Sequence, residues 1–94
     1  MLTHDEICNA VAEVAERYPI KKASYFGSYA DGRATQDSDL DLLVEFDMPR
    51  VSLFVLSAMK IDLEDQLEVA VDVIRAPLPE GAIIEPQRVV QVYG

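Results

Sequence analysis

Apolar residues recur at helical spacing near the start of the chain, at Ile7, Ala10, Val11, Val14 and Tyr18. Thr3 stands ahead of them with Glu6 three residues on, the pattern of a capping box, and acidic Asp5 and Glu6 suit the positive end of a helix. Pro19 ends that helix at Arg17 or Tyr18. Lys21-Lys22 then lead into Ala23-Ser24-Tyr25-Phe26, a short strand by β-propensity that Gly27 terminates. Asp31-Gly32 and Asp37-Ser38 mark turns, with room for one helical turn near Ser28 to Ala30. From Leu40 to Phe46 the pattern changes to strict alternation. Leu40, Leu42, Val44 and Phe46 share one strand face, and Asp39, Asp41, Leu43 and Glu45 share the other.

Beyond Pro49, Ser52 caps a second helix in which Leu53, Leu56, Met59 or Lys60, Leu63 and Leu67 repeat, leaving Glu64, Asp65 and Glu68 on a solvated face. Val69 to Ile74 follows almost without a linker as a third strand, its β-branched residues placing Val69, Val71 and Val73 on one face and Asp72 on the other. An acid in so apolar a strand calls for a reason. After Pro77 and Pro79, Glu80 to Ile84 reads as a helical turn, and Val89 to Tyr93 as a strand or a docked tail. Tyr25, Phe26 and Phe46 are assigned to the core, while Tyr29 is open between surface and ligand contact. Helix, strand, strand, helix, strand and tail make one small α/β or α+β domain over residues 1–94.

Composition narrows the function classes. With 17 acidic against 8 basic residues the net charge is −9, which argues against binding nucleic acid or an anionic membrane surface and is compatible with a basic protein partner. No apolar run approaches the roughly 20 residues of a membrane span, and the acidic start is unlike a signal peptide. The single cysteine, Cys8, reads as a small buried apolar residue, and a reducing cytoplasm is the simplest setting. His4 reads as a solvated cap-region residue.

The chemistry gathers on three carboxylates. Asp39 and Asp41 point the same way, about 7 Å apart along the strand, and two like charges so placed repel unless a cation joins them. If the Asp72 strand lies beside theirs, all three face one point, and hard oxygen donors in that number suit Mg²⁺ or Mn²⁺. Mg²⁺ is commonly completed by substrate phosphates, which implies a nucleoside triphosphate. Two such ions about 4 Å apart stabilise the attacking and leaving oxygens of an in-line displacement. Gly27-Ser28 supplies the complementary part, a close backbone approach with N–H groups and a hydroxyl to hold phosphate.

Gly27-Ser28, ten intervening residues, then Asp39-Leu40-Asp41 resembles the Gly-Ser…Asp-x-Asp signature of the DNA polymerase β-like nucleotidyltransferase superfamily. The whole chain resembles its minimal nucleotidyltransferase (MNT) branch, the antitoxin partners of HEPN toxins. The resemblance implies a mixed sheet of three to four strands flanked by helices. It also implies that Asp39 and Asp41 coordinate two Mg²⁺ ions and that Asp72 binds the one beside the attacking hydroxyl. Gly27 and Ser28 would then hold the β- and γ-phosphates of ATP. Attack at the α-phosphorus would release pyrophosphate and leave AMP on a tyrosine of the HEPN ribonuclease, silencing it within a hetero-oligomer. One departure stands out. Asp31 occupies a position usually basic in the family, and Arg33 one often acidic, so Arg33 is not placed in the site.

Two rivals accompany this reading. One is a weak or inactive antitoxin that neutralises its toxin by binding alone. The other is transfer onto a small molecule, although relatives of that kind carry an additional domain to shape the acceptor pocket. A phosphatase of the haloacid-dehalogenase type is disfavoured, because there the apolar strand precedes Asp-x-Asp, whereas here Leu42-Leu43-Val44 follows it.

Overall fold

A computed structural model describes residues 2–76 and 89–94. The element order is α1 (His4–Ala15), β1 (Ile20–Phe26), β2 (Leu40–Phe46), α2 (Leu53–Leu67), β3 (Val71–Ala76) and β4 (Val90–Tyr93). The four strands form one mixed sheet in the order β3-β2-β1-β4. β1 runs antiparallel to both β2 and β4, and β2 runs parallel to β3. A parallel neighbour needs a crossover, and α2 supplies it.

The alternation of β2 sets the layers. Leu40, Leu42, Val44 and Phe46 are all buried, and they pack with Ile7, Val11 and Val14 of α1 and Met59 and Leu63 of α2. The capping box forms as the sequence indicates. Thr3 Oγ1 accepts from the Glu6 N–H at 3.2 Å, and the Thr3 N–H donates to Glu6 Oε1 at 3.0 Å. At the other end, Tyr18 donates its hydroxyl to Asp62 Oδ2 at 2.7 Å, and Arg17 lies 3.6 Å from the same oxygen, tying the end of α1 to α2. That bond raises the Tyr18 pKa first of all, with desolvation and the Asp62 charge adding to it.

Several boundaries differ from the sequence pattern. α1 stops at Ala15 because Arg17 and Tyr18 both donate to the Val14 carbonyl, which tightens the last turn before Pro19. β1 begins three residues early, at Ile20 rather than Ala23. A bulge between Ile20 and Lys22 exposes both lysines in succession, so alternation is lost there. β3 begins two residues late, because Glu68 closes α2 in the left-handed conformation (φ 58°) and the Ala70 carbonyl is taken up by the Leu40 N–H.

Tyr25, Phe26 and Phe46 are buried as assigned, and the tail from Val90 is the strand β4. Cys8 is only half-buried, a correction, with its sulfur 3.3 Å from His4 Nε2. His4 is exposed, and its Nδ1 meets the Tyr25 hydroxyl at 3.0 Å, so it links α1 to β1 rather than serving only as a solvated cap. The expected turn at Glu80 to Ile84 lies outside the described residues. Among the described residues no helix is long and apolar enough to cross a membrane.

Candidate active site

Register decides which carboxylates meet. Residues directly opposite in a ladder share a sheet face, and β2 and β3 pair Asp41 with Asp72. Val71, one residue earlier, is fully buried on the helix side, which turns Asp72 outward to the exposed side. Asp41 is half-buried on that outer face, opposite Phe26 of β1. Asp39 lies one residue before β2, exposed, on the same side.

Asp41 is the electrostatic centre of the group. Desolvation raises its pKa above the ordinary 3.8, and the charge of Asp72, the charge of Asp39 and a hydrogen bond with the Asp72 side chain push the same way. The structure therefore brings Asp41 and Asp72 side by side and keeps Asp39 within electrostatic reach. Among the described residues, no three His, Cys, Asp or Glu side chains converge closely enough to hold a metal ion by themselves. The donor chemistry nonetheless fits Mg²⁺, which takes one or two carboxylates and completes its shell with water and substrate phosphate.

The turn after β1 abuts this pair. Gly27 has φ +73°, and a Cβ placed on it would sit 2.5 Å from Asp41 Oδ2. The positive φ favours glycine, and without a Cβ the backbone passes close to the carboxylate as it stands. From there the Gly27 carbonyl accepts the Asp31 N–H at 3.0 Å and the Ser28 carbonyl accepts the Arg33 N–H at 2.9 Å, folding the segment back on itself. Gly27 is thus placed at the carboxylate edge, with Ser28 next to it in the chain. Asp31, the departure noted in the sequence, is met by Arg33 at 2.8 Å. The exchanged charges answer each other in an exposed pair, which is worth little to stability but limits the repulsion Asp31 would present to a phosphate.

Sequence reasoning missed the far wall. A cleft of about 460 Å³ is lined by Asp41 and Asp72 of the sheet and by Leu53, Leu56, Ser57 and Lys60 of α2. Lys60 is the cation lining it among the described residues. Its signal was present in the sequence as an ambiguity: Met59 and Lys60 both satisfied the helical spacing, and Met59 took the buried place. Tyr29 is half-buried against the core, away from this cleft.

The nucleotidyltransferase domain family matches residues 7–93. The chain belongs to that family. Over 62 residues it is 40% identical to a Methanocaldococcus jannaschii protein that carries the provisional name protein adenylyltransferase, covering 66% of this chain and 62% of that protein. Over 73 residues it is 38% identical to the protein adenylyltransferase MntA of Thermococcus cleftensis, covering 72% of this chain and 68% of MntA. The chain thus spans about two thirds of the length of these relatives. In fold it is similar to a chain of the solved complex of a tri-AMPylated Shewanella oneidensis HEPN toxin with an MNT antitoxin, with a TM-score of 0.73, 16% identity, and coverage of 98% of this chain and 73% of that one. The four-stranded mixed sheet with two helices is the minimal nucleotidyltransferase architecture that the sequence resemblance implied.

The raised Asp41 pKa gives a stability prediction with a definite sign. The folded chain holds this proton more tightly than the unfolded chain, so stability falls as pH rises from about 3.8 through the folded value. Asp41→Asn is expected to be more stable than the metal-free wild type at pH 7, by about 0.5 kcal/mol on the scale of cross-strand charge pairs, and the gap should close toward pH 3. Denaturant midpoints at the two pH values check it. A gap that widens in acid would mean that folding lowers the Asp41 pKa instead of raising it.

Proposed function

We propose that this chain is a Mg²⁺-dependent nucleotidyltransferase that moves AMP from ATP onto a hydroxyl, a tyrosine, of a partner HEPN ribonuclease toxin and thereby neutralises it in the cytoplasm. The observation that carries this reading is Asp41 paired with Asp72 on one strand face, against a Gly27 turn whose backbone passes close to the Asp41 carboxylate. The names carried by the relatives support the same reaction class.

Asp39, Asp41 and Asp72 would hold the metal, whose chemistry is to neutralise triphosphate charge and lower the pKa of a bound hydroxyl. The chain's own residues do the rest by position. Gly27 and Ser28 would present backbone N–H groups and a hydroxyl to the β- and γ-phosphates, holding the leaving pyrophosphate. Asp72, at the exposed edge of the pair, would orient the acceptor oxygen toward the α-phosphorus and draw on its proton. The new bond joins the acceptor oxygen to the α-phosphorus, the α–β bridge breaks, and pyrophosphate leaves. Positioning and electrostatics supply the catalysis, as in other phosphoryl transfers.

ATP labelled at the α-phosphate, with Mg²⁺ and the HEPN-type protein of the native host, tests this directly. Label is expected on the HEPN protein as an AMP ester, with unlabelled pyrophosphate released. A second reading, neutralisation by binding alone, is favoured by one observation: Asp39 does not close with Asp41 and Asp72 into a three-ligand set. A stable, toxin-silencing complex that carries no label would establish that reading instead.

A further inference from the structure

α2 buries Met59, Leu63 and Leu67 toward the sheet, which turns its first residues the other way. Leu53 is 79% exposed, although the spacing placed it in the core, and Phe54 and Ile61 are 88% and 56% exposed. At 100° per residue Phe54, Ser57 and Ile61 fall on one outward stripe, with the two apolar side chains two turns and roughly 10 Å apart. The stripe continues into Asp65, the exposed cap residue Glu68 follows just beyond the helix, and among the described residues neither takes part in an ion pair. An exposed pair of large apolar side chains beside a charged flank marks an interaction surface. This surface also adjoins the cleft, because Leu53 and Ser57 line the cavity that holds Asp41 and Asp72.

We infer that this outer stripe of α2 docks the acceptor protein through an amphipathic helix. That helix carries apolar residues at two-turn spacing and Lys or Arg one turn beyond them. The inference rests on the proposed transfer reaction and names the surface that brings the acceptor to it. Charge argues for the occupant. Asp65 ends the stripe and Glu68 follows it in a chain of net charge −9, so a basic flank is attracted and a second copy of this chain is repelled. Apolar packing on Phe54 and Ile61 fixes the register of the docked helix, as anchors do in helix-groove recognition. Docked there, the partner lies along the cleft mouth, from which a hydroxyl on an adjoining segment reaches Asp72.

The experiment compares wild type, Phe54→Glu/Ile61→Glu and Asp65→Lys, each with the HEPN-type protein of the native host, by calorimetry and size-exclusion chromatography. Mg·ATP binding to each chain alone is the second readout. The double variant is expected to lose the HEPN complex at least tenfold while binding Mg·ATP and unfolding thermally as wild type does. Asp65→Lys is expected to weaken the complex at low salt and to have little effect at high salt. Wild-type affinity in the double variant overturns the inference. So does a wild-type chain that self-associates through these residues, or one that binds Mg·ATP but not the HEPN protein. A wild-type chain that binds no Mg·ATP is a different outcome, and it removes the proposed reaction itself.

Discussion

Asp41→Asn, and separately Asp39→Asn, are expected to reduce AMP transfer by about 10³-fold or more, the scale on which charge-stabilising groups act in phosphoryl transfer. The fold should survive in both. Asp41 packs its carboxylate on the outer face of β2, while the core is formed by Leu40 and Leu42 on the opposite face, so removing the charge leaves the packing unchanged. Asn keeps the volume of Asp41 and removes the repulsion from Asp72 and Asp39 that helps raise its pKa. The two effects therefore run in opposite directions: activity is lost as metal-free stability holds or rises. Initial rates with α-labelled ATP, alongside far-ultraviolet circular dichroism and a thermal midpoint, check both. Transfer retained in both variants would remove the carboxylates from the chemistry.

Gly27→Ala is expected to have the second-largest effect. The backbone there is held at φ +73°, where an alanine costs about 1 kcal/mol, and its Cβ would meet Asp41 Oδ2 at 2.5 Å. Either the turn or the Asp41 side chain must move. Displacing the turn costs stability, roughly 1–3 kcal/mol in total, and it disturbs the backbone proposed to hold the phosphates. Moving the carboxylate instead breaks its pairing with Asp72. On both routes nucleotide transfer falls by about 10²-fold or more, since misplacement of about 1 Å has an effect of that order. Gly32 is the internal control. It also has positive φ, +74°, but a Cβ there meets nothing within 4 Å, so Gly32→Ala should bring backbone strain without loss of transfer. Equal transfer in the two alanine variants would show that the close approach of Gly27 to Asp41 is incidental.

Much of this arrangement was legible in the chain, for identifiable reasons. The alternation of Leu40 to Phe46 is uninterrupted, so its two faces were assigned correctly and the side of Asp41 followed. Asp72 stood out because it breaks an apolar strand, and the parallel register then placed it opposite Asp41. The beginning of β1 was hidden because a bulge puts Lys21 and Lys22 outward together, which erases the period of two. The start of β3 was hidden because Glu68 adopts a left-handed conformation that side chains other than glycine and asparagine rarely signal. The exposure of Leu53 was illegible for a different reason. Helical spacing identifies a stripe, but which of two overlapping stripes faces the sheet is settled by tertiary packing, here through Met59 and Leu63. The helix wall of the cleft, including Lys60, depends on the same choice.

The most direct measurement is a crystal of the chain grown with Mn²⁺ and a non-hydrolysable ATP analogue, read by anomalous scattering at the manganese edge. The account predicts anomalous density bonded to carboxylate oxygens of Asp39, Asp41 and Asp72, with the β- and γ-phosphates of the analogue against the backbone N–H groups of Gly27 and Ser28. Asp39 would then have closed onto the pair that Asp41 and Asp72 already form. Manganese and triphosphate bound away from these carboxylates, or a triphosphate that leaves Gly27 and Ser28 untouched, would contradict it.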